Sequence, residues 1–159
     1  MKKFFWIYLV LTLSIMVGIF CFSAQSGEKS SSISLGMTKK VVTEQPNEKV
    51  TRAEINDKIE IVETIIRKSA HFLIFTALGF CVFMTLYYSD KMHRKCIICI
   101  ISLIFCIFYA STDEIHQLFV NERSGEVRDV LIDSAGSLLG IVLACGILKI
   151  KKCCKRISK

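Results

Sequence analysis

The sequence lacks the features that identify several common classes of protein. No basic patch interleaved with aromatic residues lies outside its apolar runs, so no nucleic-acid partner is expected. It has no glycine-rich nucleotide loop and no HExxH or comparable ligand spacing that would indicate a metal site. Cys96 and Cys99 have CxxC spacing, but no second pair accompanies them. The sequence therefore predicts no cofactor and no bound metal.

Apolar residues, in contrast, are abundant, at 52% of the chain with a mean hydropathy of +0.49. That hydropathy is too high for an ordinary soluble domain of 159 residues. Four apolar runs, each about seventeen to twenty residues long, are sufficient to cross the hydrocarbon core of a membrane. They cover residues 4–22, 70–88, 96–112 and 130–148. We therefore expect an all-α integral membrane protein, a single domain over residues 1–159 that forms a bundle of four transmembrane helices.

A polar segment, residues 23–67, separates the first two apolar runs. Near its end, Thr51 and Glu54 have the spacing of a capping box, which indicates the start of a helix. The apolar residues that follow recur at helical intervals: Ile55, Ile59, Val62 and Ile66. This pattern predicts an amphipathic helix that leads directly into the second membrane span.

The distribution of basic residues predicts how the chain is oriented in the membrane. They cluster at both ends and in the loop after the second run: Lys2, Lys3, Lys91, Arg94, Lys95, Lys149, Lys151, Lys152, Lys155, Arg156 and Lys159. With four spans, all three clusters lie on one side, which the positive-inside rule assigns to the cytoplasm. Both termini, including the basic tail 149–159, are therefore expected in the cytoplasm. Residues 23–67 and 113–129 are then expected to face outward.

Ionisable residues converge at the outer ends of the second, third and fourth spans. Charges at this membrane depth are costly unless they are paired or hydrated, so they are candidates for a functional site. Spacing supports a shared site, because Asp113, His116 and Gln117 lie on one helical face. The candidate residues are Lys68, His71, Asp113, Glu114, Gln117, Arg123, Asp129 and Asp133.

The fourth span also has a pattern typical of close helix packing. Gly136 and Gly140 form a GxxxG step on the same helical face as Asp129 and Asp133. Small residues at this spacing let another helix approach closely, either within the chain or in an oligomer. We therefore expect the two aspartates to point into a helix bundle and not into lipid.

A purely structural explanation of these charges is also consistent with the sequence. Glu122, Glu126 and Arg128 fit the pattern of interfacial anchors and helix-dipole partners. The other ionisable groups would, on this alternative, form an ion-pair network that holds the helices together.

Two longer stretches resemble a known family. "RKSAHFLIFTALGF", followed further along the chain by "DEIHQLFVNERSGEVRDVLIDSAGSLLG", is similar to the VanZ-like family of small bacterial membrane proteins. The resemblance implies a location in the bacterial plasma membrane and an association with low-level resistance to the glycopeptide teicoplanin. It marks the same eight positions, from Lys68 to Asp133, that were selected above because they carry polar or ionisable groups at the outer ends of the spans.

Three functions are compatible with this sequence. The first is an outward-facing polar pocket that binds a glycopeptide, a lipid-linked wall precursor or an anionic headgroup, with Arg67, Lys68 and Arg123 able to hold phosphate or carboxylate. The alternative is an intramembrane acid–base or metal-assisted enzyme acting on a lipid-linked or envelope substrate. A proton-coupled transporter is less consistent with the sequence, because the inner halves of the spans lack a polar relay.

Overall fold

The computed structural model describes residues 2–23, 52–89, 94–119 and 127–157. These residues form four helices and no strand: α1 Lys2–Ser23, α2 Arg52–Tyr88, α3 Lys95–Gln117 and α4 Val127–Ile157. Each helix contains a segment long and apolar enough to cross a membrane. The prediction of an all-helical protein with four membrane-spanning helices is confirmed. The cytoplasmic location of both termini stays a prediction.

All four helices extend beyond the predicted spans, α1 by only one or two residues at each end. α2 has 37 residues, which corresponds to about 55 Å of helix, whereas a hydrocarbon core is about 30 Å thick. The predicted amphipathic segment and the second span therefore form one continuous helix. α3 continues past residue 112 to Gln117, and α4 begins at Val127. Asp113, Glu114 and Gln117 are buried in that last turn of α3, so its polar residues do not end the helix.

The central helix of the bundle is α2, which contacts each of the other three helices. Its buried side chains form two apolar clusters with the neighbouring helices. The first contains Ile19, Phe75, Leu78, Val82, Cys106 and Ala110. The second contains Phe83, Met84, Ile98, Ile141, Ala144 and Leu148. Large apolar side chains such as Trp6, Phe108 and Leu131 remain exposed on the outside of the bundle, where lipid tails would cover them.

Backbone contacts between α2 and α4 occur at three glycines. A Cβ atom at Gly79 would collide with the carbonyl group of Ser137, and one at Gly136 with the carbonyl oxygen of Phe72. A Cβ atom at Gly140 would lie 2.8 Å from the backbone nitrogen of Phe80. The face that carries Gly136 and Gly140 therefore packs against α2 of the same chain. An oligomer contact through this face stays a prediction.

The helices alternate in direction, which brings particular helix ends together. Four helix ends meet around Lys68, Gln117 and Asp129, a region that we call the polar end. They are the end of α1, the start of the α2 span, the end of α3 and the start of α4. The opposite end is aromatic: Phe4 and Tyr8 each stack on Tyr88, with ring centroids 5.4 and 5.8 Å apart. Among the described residues, the buried Asp and Glu side chains all lie at the polar end.

Candidate functional site

Two successive pairs, each of a basic side chain and a carboxyl group, connect α2 to α4 at the polar end. Lys68 Nζ donates a hydrogen bond of 2.5 Å to Asp129 Oδ1. One helical turn deeper, His71 Nδ1 lies 3.6 Å from Asp133 Oδ2. The pairs match because Lys68 and His71 are three residues apart on α2, while Asp129 and Asp133 are four apart on α4, so each pair of residues shares a helical face. Because α2 and α4 pack against each other, this helical spacing explains why the second pair forms one turn below the first.

α3 contributes further polar side chains to the polar end. Gln117 Nε2 donates a hydrogen bond of 3.0 Å to Asp113 Oδ2, and both side chains are buried together with Glu114. His116 lies apart from this pair, because its ring stacks on Phe20 of α1 with centroids 4.4 Å apart. Asp113 and Gln117 thus turn inward on the face that the sequence predicted, whereas His116 turns toward α1.

A small cavity lies between these helices at the polar end. Its volume is about 10 Å³, which is enough for a single water molecule or a group of similar size. It is lined by Arg67, Lys68, His71, Gln117, Asp129, Ile132 and Asp133. Six of these seven side chains are polar, so the cavity is suited to a hydrogen-bonding or charged group and not to an apolar one.

The deepest carboxyl group of the cavity lacks a full set of hydrogen bonds. Asp133 is 2% exposed, and its Oδ1 atom has no hydrogen-bond partner among the described residues. The hydroxyl of Ser137 donates to the backbone carbonyl of Asp133 and not to its side chain. Leaving a buried acceptor without a partner costs about 1–3 kcal/mol. This cost makes Asp133 Oδ1 a strong acceptor for any donor that enters the cavity.

The cavity also has a cationic group, Arg67, with no carboxylate partner in the described part of the chain. Arg67 is half-buried and lines the cavity, and no carboxylate among the described residues pairs with it. Lys68 differs from Arg67, because Lys68 is already paired with Asp129. Across the segments that the structure describes, the cavity therefore combines a guanidinium that has no carboxylate partner with a carboxylate oxygen that has no hydrogen-bond donor. Within the described ranges, no three metal-binding side chains come together in a group that could hold an ion.

The structure brings most of the predicted site residues together. Five of them line the cavity: Lys68, His71, Gln117, Asp129 and Asp133. Asp113 contacts this group through Gln117, and Glu114 is buried on the same helical turn. Arg123 lies outside the described residues, as do Glu122 and Glu126. Arg67 was singled out only as an anion-binding candidate, and Ile132 was not predicted; their positions next to Lys68 and Asp133 were the only signals for them.

Comparison with known proteins assigns the family. A family model described as VanZ/LLP1 matches residues 5–149, which include every residue of the cavity. No curated protein and no solved structure matches the chain. The match covers nearly the whole length of the chain and all four membrane helices. The chain therefore belongs to the VanZ/LLP1 family.

Proposed function

We propose that the polar end faces the outside of the cell and binds the anionic headgroup of an envelope lipid or lipid-linked wall precursor. Through this binding the protein would contribute to tolerance of glycopeptides such as teicoplanin. The observation that carries the proposal is the cavity between α2, α3 and α4, lined by Arg67, which has no carboxylate partner among the described residues. Membership of the VanZ/LLP1 family supports the connection with the cell envelope.

The guanidinium of Arg67, in the lining of the cavity, favours an anionic ligand. A guanidinium presents several donors in a planar fork that matches the geometry of phosphate or carboxylate. Arg67 has no carboxylate partner among the described residues, so binding an anion there requires no ion pair to be broken. Its position next to the start of the α2 membrane span suits the phosphate of a lipid headgroup.

The size of the cavity favours a lipid headgroup over an inserted glycopeptide. A volume of about 10 Å³ admits one small polar group, whereas a glycopeptide is many times larger. A phospholipid or a lipid-linked precursor can place its phosphate at Arg67 while its chains remain in the bilayer. On this proposal, the effect on glycopeptides arises through the wall precursor or at the membrane surface.

The alternative role of the charges, as a clamp between α2 and α4, is less consistent with the energetics. Lys68 and Asp129 are only 25% and 19% exposed, and a largely buried ion pair often adds little net stability, because removing both charges from water offsets their attraction. α2 and α4 are already in backbone contact at Gly79, Gly136 and Gly140. Helix packing therefore holds these two helices together with little help from the pair.

Headgroup binding by two arginine variants tests the proposal. The full chain is placed in nanodiscs, and binding of phosphatidylglycerol is titrated by native mass spectrometry. Arg67→Gln should weaken binding by about tenfold, because hydrogen bonds to charged groups are among the stronger ones in proteins. Arg128→Gln is the matched control, since Arg128 is exposed near the same end and does not line the cavity. Equal effects of the two variants would contradict the proposal.

A further inference from the structure

We infer that the ligand carries a hydrogen-bond donor next to its anionic phosphate, and that Asp133 selects ligands with this donor. The inference rests on the proposed function, because it takes Arg67 as the group that holds the phosphate. It adds a chemical requirement that a cationic site alone does not impose. The ligand class is a phospholipid or lipid-linked phosphate whose headgroup ends in a hydroxyl or an ammonium group.

The basis for the inference is the unsatisfied side chain of Asp133. This residue is 2% exposed, it lines the cavity, and its Oδ1 atom has no partner among the described residues. Its other oxygen, Oδ2, lies 3.6 Å from His71 Nδ1. Buried carboxylate oxygens are normally hydrogen-bonded, so an unpaired one beside a cavity indicates a donor that arrives from outside the chain.

The closest donor of the described residues, His71 Nδ1, faces Oδ2 of Asp133 and not Oδ1, and two further donors that line the cavity have other acceptors. On α2, Lys68 donates to Asp129, and on α3 the amide of Gln117 donates to Asp113. The two neighbouring carboxyl groups, Asp113 and Asp129, repel that of Asp133 and provide no donor when ionised. A donor from the ligand is therefore the partner that would complete the hydrogen bonding of Asp133.

The volume of the cavity restricts which donors fit. About 10 Å³ accommodates one group the size of a water molecule, which a terminal hydroxyl or ammonium matches. A trimethylammonium group is too large and has no N–H bond to donate. Phosphatidylglycerol and phosphatidylethanolamine therefore meet the requirement, whereas phosphatidylmethanol and phosphatidylcholine do not.

Two pairs of lipids test the inference with the full chain in nanodiscs. Phosphatidylglycerol and phosphatidylmethanol have the same charge and differ in their hydroxyl groups. Phosphatidylethanolamine and phosphatidylcholine are both zwitterionic and differ in their N–H donors. The wild-type chain should bind the donor-bearing lipid of at least one pair about tenfold more tightly than its counterpart. The pair that shows the preference identifies the donor as a hydroxyl or an ammonium group.

Variants separate the role of Asp133 from that of Arg67. Asp133→Leu should bring the ratio of the two affinities within a lipid pair close to one. Asp133→Asn keeps an acceptor of nearly the same size, so it should retain part of the preference for the donor-bearing lipid. Arg67→Gln should weaken both anionic lipids equally and leave their ratio unchanged. The wild-type ratios need no variant, so the test remains decisive if Asp133→Leu does not fold.

The failures of the two proposals are distinguishable. Equal binding within both lipid pairs, as expected if a water molecule fills the cavity, would overturn the selection by Asp133. An unchanged preference in Asp133→Leu and Asp133→Asn would overturn it as well. Either result, together with weaker binding by Arg67→Gln, would leave the anionic headgroup site in place. Binding that is insensitive to Arg67→Gln would overturn the headgroup site itself.

Discussion

Replacing Gly140 by alanine should destabilise the bundle, because α2 and α4 touch at this position. The added Cβ would lie 2.8 Å from the backbone nitrogen of Phe80 and would collide with the carbonyl of Thr76. The atoms that must give way are backbone atoms, so no side chain can rotate to make room. The helices would have to separate until the 2.8 Å approach becomes an ordinary contact of at least 3.4 Å.

Two opposing effects determine how far Gly140→Ala changes the free energy of unfolding. Overpacking a close contact costs about 1–3 kcal/mol, while alanine is a better helix former than glycine by up to about 1 kcal/mol. Gly146 on the same helix is the matched control, because a Cβ atom there meets nothing within 4 Å. Gly146→Ala should therefore leave stability unchanged or raise it slightly, whereas Gly140→Ala should lower the free energy of unfolding and be about 1–3 kcal/mol less stable than Gly146→Ala.

The measurement is an unfolding titration with SDS in mixed micelles. Unfolding is followed by maleimide labelling of the fully buried Cys106 thiol in a background without the other cysteines. Gly140→Ala should unfold at a lower SDS fraction than the parent, and Gly146→Ala should not. Equal unfolding curves for the two alanine variants would refute the close contact between α2 and α4.

Further predictions concern topology, packing and phenotype. A single cysteine at position 92, in a cysteine-free background, should not react with an impermeant reagent added outside the cell; labelling from outside would contradict the cytoplasmic termini. Cys99 Sγ and Cys145 Sγ lie 3.7 Å apart, so mild oxidation should join α3 to α4 in a variant that keeps only these two, as mass spectrometry would detect. A variant that keeps Cys96 and Cys145 is the control, and equal cross-linking of both would argue against this packing. Overexpression in a sensitive host should raise tolerance to teicoplanin more than to vancomycin, because teicoplanin has a lipid tail that brings it to the membrane; no change for either drug would contradict the proposed role in resistance.

The helices could be predicted from the sequence because hydropathy decides which segments enter a membrane. The apolar runs identify all four of them. Their ends were harder to predict, since a hydropathy run stops at the first charged residue. α3 continues beyond that point to Gln117 because Asp113 and Gln117 bond to each other inside the bundle. A polar last turn of this kind is stabilised by neighbouring helices and leaves no apolar signal.

Contacts between helices could be predicted only in part. The spacing of Asp129 and Asp133 indicated a shared inward face, but nothing local identified α2 as the helix that meets it. Gly79 shows the reason, because it packs on the carbonyl of Ser137, far away in sequence, and has no GxxxG step of its own. Arg67 likewise lines the cavity only because three helices meet there, and no single segment of the sequence specifies how they meet.

The central claim, that the polar end is a ligand site and not a clamp, is tested most directly by measuring two quantities in one series of variants. The series is Lys68→Met, His71→Ala, Glu114→Gln and Asp133→Asn, and the quantities are the amount of protein in the membrane and the binding of phosphatidylglycerol. A ligand site predicts weakened binding at normal protein levels, with Asp133→Asn the mildest because asparagine keeps an acceptor. A clamp predicts loss of protein, since an unpaired buried charge destabilises a fold by about 3–5 kcal/mol. Binding that falls only in proportion to the amount of protein would contradict the ligand site.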